Sequence, residues 1–174
     1  MHDKYDIAIR RIIKGDINAC FQTGDKDFDR VNASGTLKEY WKSDTQASGA
    51  FYVFLLMEKH SNTAIGILRI KNEFHGVNSS VPSIQGQPAI YFSRVGIIVP
   101  KQDLHLSRIL LEYLCYVTKL EMKQYGLRAV WVYWRCKNDP KIVKYYSFPG
   151  AKIVEEYPGP WGPSLVMAMK ISCV

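Results

Sequence analysis

The segment from Ala89 to Arg135 constrains the fold more than any other part of this chain. Ala89–Val99 is apolar and ends at Pro100, a residue without an N–H to donate to a ladder, so it reads as a strand with a firm stop. Beyond it, Leu106, Ile109, Leu110, Tyr113, Leu114, Val117 and Leu120 recur in steps of three and one. That spacing predicts an amphipathic helix over Leu104–Tyr125 with a single apolar stripe. Asp103 is placed to cap its start and Gly126 to stop it. Leu127–Arg135, rich in Val and aromatic residues, is a second strand. A strand, a long helix and a strand make a crossover, so the two strands are expected to run parallel with a right-handed connection.

The flanking sequence supplies further elements. Tyr5–Ile13 alternates as a strand, Lys14-Gly15-Asp16 is a turn, and Asp16 can cap a helix over Ile17–Gln22. Residues 23–35 are polar and read as a loop or a frayed helix, and Thr36–Lys42 as a short helix. Ala50–Glu58 and Ala64–Lys71 are strands close enough for an antiparallel hairpin. Residues 72–88, with Gly76, Asn78, Pro82, Gly86 and Pro88, form a long loop. A short helix over Pro140–Ser147 and strands at Lys152–Glu156 and Ser164–Ile171 complete the order, with Pro158–Pro163 a rigid loop or bulged turn. The expected class is α/β (α+β): a mixed, mostly antiparallel sheet with one parallel strand–helix–strand crossover and helices on both faces.

Composition narrows the functional classes. The chain has 174 residues, 47% hydrophobic and 22% charged, which suits one globular domain and excludes a disordered chain. Its apolar runs are too short to cross a bilayer and no apolar leader core follows Met1, so a cytoplasmic protein without a membrane partner is expected. Cys20, Cys115, Cys136 and Cys173 form no Cys-x-x-Cys pair, and His2, His60, His75 and His105 show no ligand spacing; no metal site is expected. Between Lys119 and Lys152, eight basic side chains stand against Glu121 and Asp139, so this segment carries +6 of the net +7. Such an excess suits an anionic partner: nucleic acid, a phosphate-bearing cofactor or an acidic protein.

The turn from Val99 into the helix is the first place for chemistry, because a helix start offers unpaired N–H groups and a positive dipole end to an anion. Here Val99–Leu111 resembles the acyl-CoA loop of the GNAT-type N-acetyltransferases, which reads Arg/Gln-x-x-Gly-x-Gly/Ala and ends on Leu-Leu. Gln102 takes the Arg/Gln place and Leu106 the apolar one, while His105 and Ser107 stand where the family has small residues. A register one residue later is open and puts Glu112 at an apolar place. A second segment, Asn138 followed by Ile142–Val154, resembles the family's Asn…Tyr-x-Lys-x-Gly-Phe ending. Tyr146 stands four residues before Gly150, as the family tyrosine does, whereas counting from Asn138 selects Tyr145, and Ala151 replaces the usual Phe.

This resemblance implies a single GNAT-like acyltransferase domain over residues 1–174, moving an acetyl (acyl) group from acyl-CoA directly to an amine of a small molecule or a protein. Acetyl-CoA would be the cosubstrate, with its pantetheine arm along Gly96 and Ile98 at the fourth strand's end, where the fourth and fifth strands splay in such enzymes. Its pyrophosphate would lie on Gln102, Asp103, Leu104, His105, Leu106 and Ser107, and Asn138 would join the cofactor-binding set. A homodimer is one assembly open to such a domain. Transfer needs a proton donor for the leaving thiolate and an acceptor for the ammonium. Tyr146, a phenol with an ordinary pKa of about 10, is the expected donor. Glu73, acting through a water, is the expected acceptor, with Glu58 as the other choice. Trp131, Tyr133 and Trp134 read as sheet packing. A different class of function stays open: a catalytically silent GNAT-like module that binds RNA, or another anion, through the cations and aromatics of Trp131–Tyr146.

Overall fold

The crossover is present in the computed structural model, which describes residues 7–11, 30–32, 35, 36, 39, 51–74, 81–98, 101, 106–159 and 162–172. In chain order the elements are β1 (Ile7–Arg11), β2 (Arg30–Asn32), β3 (Gly35–Thr36), β4 (Phe51–Glu58), β5 (Thr63–Glu73) and a 3₁₀ turn at Pro82–Ile84. There follow β6 (Ala89–Ile97), α1 (Leu106–Gln124), β7 (Ala129–Lys137), α2 (Pro140–Tyr145), β8 (Lys152–Gly159) and β9 (Gly162–Ser172). Seven strands form one sheet in the order β1-β4-β5-β6-β7-β9-β8, and β2 and β3 make a separate two-stranded ribbon. β6 and β7 pair in parallel, Ala89 to Tyr91 against Trp131 to Tyr133, while β1–β4, β7–β9 and β8–β9 are antiparallel.

The helix between the parallel strands ends for local reasons. Gly126 adopts φ +64°, which lets the chain turn back over the last turn of α1. The Leu127 N–H then donates to the Met122 carbonyl at 2.8 Å and the Gly126 N–H to that of Lys123 at 3.4 Å, the paired bonds of a Schellman stop. The apolar stripe holds at Leu106, Leu110, Leu114 and Val117, all buried. Leu120 departs from the expected stripe and is 49% exposed; Thr118 and Met122, fully buried, continue the inner face instead. A 3.6-residue period drifts over 19 residues, so a stripe read in steps of three and one ends on the wrong side.

The chain forms two compact units. The first comprises residues 1–70 and 94–114. Its centre is built from Leu55, Leu56, Ile65, Ile67 and Leu68, each at most 1% exposed. Residues on both faces of β5 are buried, so the strand reads as a continuous apolar run rather than an alternation. The second unit comprises residues 71–93 and 115–174. In it Val81, Ile84, Ala89, Tyr133, Val166 and Ala168 pack as one cluster, with Tyr91, Trp131, Val154 and Tyr157 against it.

Three expectations change. Thr36, read as the start of a helix, is the end of β3 and lies opposite Arg30, so part of the polar stretch 23–35 is antiparallel strand; of the rest of that helix only Glu39 is described, and it is helical. β5 runs on to Glu73, so the long loop begins later than residue 72. The Pro158–Pro163 stretch is mostly strand: Pro158 faces Pro163 and Gly159 faces Gly162 on the last rungs of β8 and β9. Proline suits those rungs because the end of an edge ladder can do without a donor. The helix expected over Ile17–Gln22 lies outside the described residues.

Candidate active site

In the first unit, the described residues flank the expected anion turn. Gly96 and Ile98 are buried at the end of β6, and the Ile98 N–H donates to the Ile65 carbonyl at 3.0 Å. The Lys101 N–H bonds back to the Ile98 carbonyl at 2.9 Å, tightening the chain as it leaves the strand. Lys101 Nζ lies 3.0 Å from Glu58 Oε1, and Ser61 Oγ donates to Glu58 Oε2 at 2.8 Å. These bonds, Lys101 first, hold the Glu58 carboxyl below its ordinary range. Gln102, Asp103, Leu104 and His105 lie outside the described residues. Leu106 opens α1 with its side chain buried, and Ser107 beside it is half-buried.

The second unit holds the remaining candidates. Asp139 caps α2, its Oδ1 accepting from the Lys141 N–H at 2.8 Å and the Ile142 N–H at 3.4 Å, and Pro140 takes a place where no N–H is needed. Asn138, just before this cap, is exposed, and its own N–H donates to the Pro163 carbonyl at 2.9 Å. The capped helix fixes the two tyrosines at its end differently. Tyr145 is 51% exposed. Tyr146 turns inward, its ring edge-on to Phe92 at 6.1 Å, to Tyr145 at 4.9 Å and to Phe148 at 6.4 Å. Burial, foremost, pushes the Tyr146 phenol well above its ordinary range. Its hydroxyl therefore keeps its proton at neutral pH and can act as a donor. Burial likewise raises the Cys136 thiol, so Cys136 is a neutral group beside this cluster and not an activated nucleophile.

Glu73 is buried and both its oxygens are engaged. Oε1 lies 2.8 Å from Lys71 Nζ, and Oε2 accepts from the Tyr133 hydroxyl at 2.7 Å. Tyr133 in turn stacks on Tyr91 with centroids 5.0 Å apart. Burial and the Glu73 hydrogen bond raise the Tyr133 phenol far above its ordinary range. The sequence names Glu73 but gives no sign of Tyr133 as its partner, because 60 residues separate them.

The basic side chains Lys119, Lys123, Arg128, Arg135, Lys137, Lys141, Lys144 and Lys152 are all exposed. Arg135 lies over the Tyr157 ring at 5.3 Å, and Lys152 and Lys170 lie over Trp131 at 5.6 and 5.9 Å. Among the described residues no cluster of three or more His, Cys, Asp or Glu could hold a metal. Among them, too, no helix is long and apolar enough to cross a membrane.

No family model and no curated protein matches the sequence. Similarity emerges at the level of fold. The ribosomal-protein-S18-alanine N-acetyltransferase from Escherichia coli superposes with a TM-score of 0.56 at 19% identity, over 97% of this chain and 96% of that one. Ard1 from Thermoplasma volcanium gives 0.57 at 9% identity, over 95% and 98%. AtaTR bound with AcCoA gives 0.59 at 12% identity, over 92% of each chain. The element order, the parallel crossover and these superpositions define the fold as that of the GNAT-type N-acetyltransferases.

Proposed function

We propose that this chain is an N-acyltransferase that moves an acetyl group from acetyl-CoA directly to a substrate amine, with residues 1–174 acting as one acyltransferase domain. The observation that carries the reading is Tyr146: an inward-facing phenol at the end of a capped helix, packed against Phe92 and Phe148 and held protonated by burial. The exposure of Tyr145 favours the register that gives Tyr146 the role. A fold shared with a chain bound to AcCoA supports the choice of cosubstrate. So does the fit of the residues present, since a neutral, largely apolar cluster beside Tyr146 suits an uncharged arm better than an ionic one.

Bound acetyl-CoA supplies an activated acyl thioester. The chain's own groups hold it and move protons. In this reading Gln102–Ser107 are the pyrophosphate-binding segment, Gly96 and Ile98 are assigned to the arm, and Asn138 belongs to the cofactor-binding set. Glu73 takes the proton of the substrate ammonium through a water, and Tyr146 gives its proton to the sulfur as the carbon–sulfur bond breaks. Tyr146→Phe keeps the ring packing and deletes the donor, so kcat should fall by about 10²–10⁴-fold with acetyl-CoA affinity nearly unchanged. Steady-state kinetics on an amine found by an acceptor screen would measure this, with Tyr145→Phe as the control. Full kcat in both variants would end the assignment.

A second reading, a silent module of the same fold that binds RNA, is favoured by the eight exposed cations between Lys119 and Lys152. It predicts salt-sensitive RNA retention on filters that charge reversal at Lys137, Lys141 and Lys144 abolishes, and no heat with millimolar acetyl-CoA.

A further inference from the structure

Trp134 carries a buried hydrogen-bond donor that no described residue pairs. Its side chain is 2% exposed, and Nε1 has no hydrogen-bond partner among the described residues. An indole nitrogen can only donate, and native structures pair nearly all their buried donors because an orphan forfeits its hydration. The rest of β7 follows that rule. Trp131 Nε1 donates to Gln87 Oε1 at 2.8 Å, and the Tyr133 hydroxyl donates to Glu73. Trp134 is the exception on the same strand.

Its surroundings indicate what would pair it. The indole packs against Phe92 at 6.1 Å and Phe148 at 5.3 Å, and both of those rings also contact Tyr146. The orphan N–H therefore belongs to the aromatic cluster that contains the candidate proton donor. Two titratable groups at this cluster, the Tyr146 phenol and the neighbouring Cys136 thiol, are neutral. An apolar, uncharged setting disfavours an ionic acceptor and suits a carbonyl oxygen. The acyl-CoA arm carries carbonyls of two kinds, the thioester and the pantetheine amides.

We propose that Trp134 is a binding residue for acyl-CoA, its Nε1–H donating a hydrogen bond to a carbonyl oxygen of the cosubstrate arm. This rests on the acyl-CoA reading above and assigns a donor that reading does not contain. It also accounts for the orphan, since a donor that is paired only in the complex favours binding without serving the free chain.

The test is a ¹H–¹⁵N spectrum of the full chain with labelled tryptophan, in which the four indole resonances are resolved. Trp134→Phe identifies one by its loss. If that variant does not fold, phenylalanine variants of Trp41, Trp131 and Trp161 identify it by elimination. Titration with acetyl-CoA should move the Trp134 proton downfield as it gains an acceptor. A shift with acetyl-CoA but not CoA assigns the thioester carbonyl, and a shift with both assigns an amide of the arm; either supports the proposal. Trp134→Phe should also bind acetyl-CoA about 3- to 10-fold more weakly, while Trp131→Phe leaves affinity unchanged. Calorimetric saturation by acetyl-CoA with an unmoved Trp134 resonance would overturn this inference and leave the acyltransferase reading standing. Absence of binding by either method would overturn both.

Discussion

Glu73 and Tyr133 form a buried contact whose removal from either side has a defined consequence. A carboxylate with 3% side-chain exposure depends on its two partners, Lys71 and the Tyr133 hydroxyl. Tyr133→Phe leaves one oxygen short of a donor, which should destabilise the fold by about 1.5–3 kcal/mol, the range for hydrogen bonds to charged groups. Urea unfolding of Tyr133→Phe, Glu73→Gln and the double variant should give a coupling energy above about 0.5 kcal/mol, the level expected of residues in one network. Additive effects would mean the bond carries no net energy. The same residues set the alkaline limit. Tyr133 and Tyr146 both hold their protons above the ordinary 10.0 in the folded chain, chiefly through burial. The unfolded chain releases those protons first, so their contribution to stability is present below pH 10 and declines as pH rises through the folded values. A melting-temperature series from pH 8 to 11 should fall most steeply at its upper end, and less steeply in Tyr133→Phe, which removes one of the two phenols.

At the level of elements, the bond between Glu58 and Lys101 joins the end of β4 to the residue that precedes the expected anion turn. Because Lys101 and Ser61 hold the Glu58 carboxyl below its ordinary range, the contribution exists above that range and is lost as pH falls through the lowered value. Lys101→Met should therefore lower the stability slightly at pH 7, by less than about 1 kcal/mol for a partly exposed pair, and the gap from the parent should narrow as pH falls from 7 to 3. An equal gap at both pH values would show that the ion pair is not the cause. The elements themselves were legible wherever a period had room to repeat. β4, β5, β6, α1, β7 and β9 follow from apolar runs and stops such as Pro100 and Gly126. β2 and β3 were not, because strands of three and two residues carry no period. Tyr146 stands out in the sequence by its distance to Gly150, and the structure adds that its ring turns toward Phe92 and Phe148 while Tyr145 is exposed. Trp134 reads as packing and does pack, against Phe92 and Phe148; its unpaired N–H leaves no mark, since a buried indole with a paired N–H and one without occupy the same place in an apolar pattern. The Tyr133 partner of Glu73 was hidden for a different reason: a contact across 60 residues leaves no local trace.

For the whole molecule, one architecture accommodates chains with 9% and 19% identity to this one, because it asks only for apolar strands, one crossover helix and stops in order. His105 and Ser107, where the related loop has small residues, are the kind of departure that removes a sequence signature while leaving such an order intact. β8 is the last strand in the order and pairs only with β9. It shifts register between Ile153 and Glu155, carries exposed Lys152 and Glu156, and has Pro158 near its end. A bent, charged strand lacking a donor at one position is a poor template for another strand. Glu156→Val with Pro158→Val should restore a regular apolar edge, and concentration-dependent light scattering should then rise above that of the parent chain. No rise would mean that other features guard this edge. The kink and charges of β8 thus set where the sheet stops growing: without them, copies of this chain could join edge to edge into the open-ended stacks from which fibrils begin.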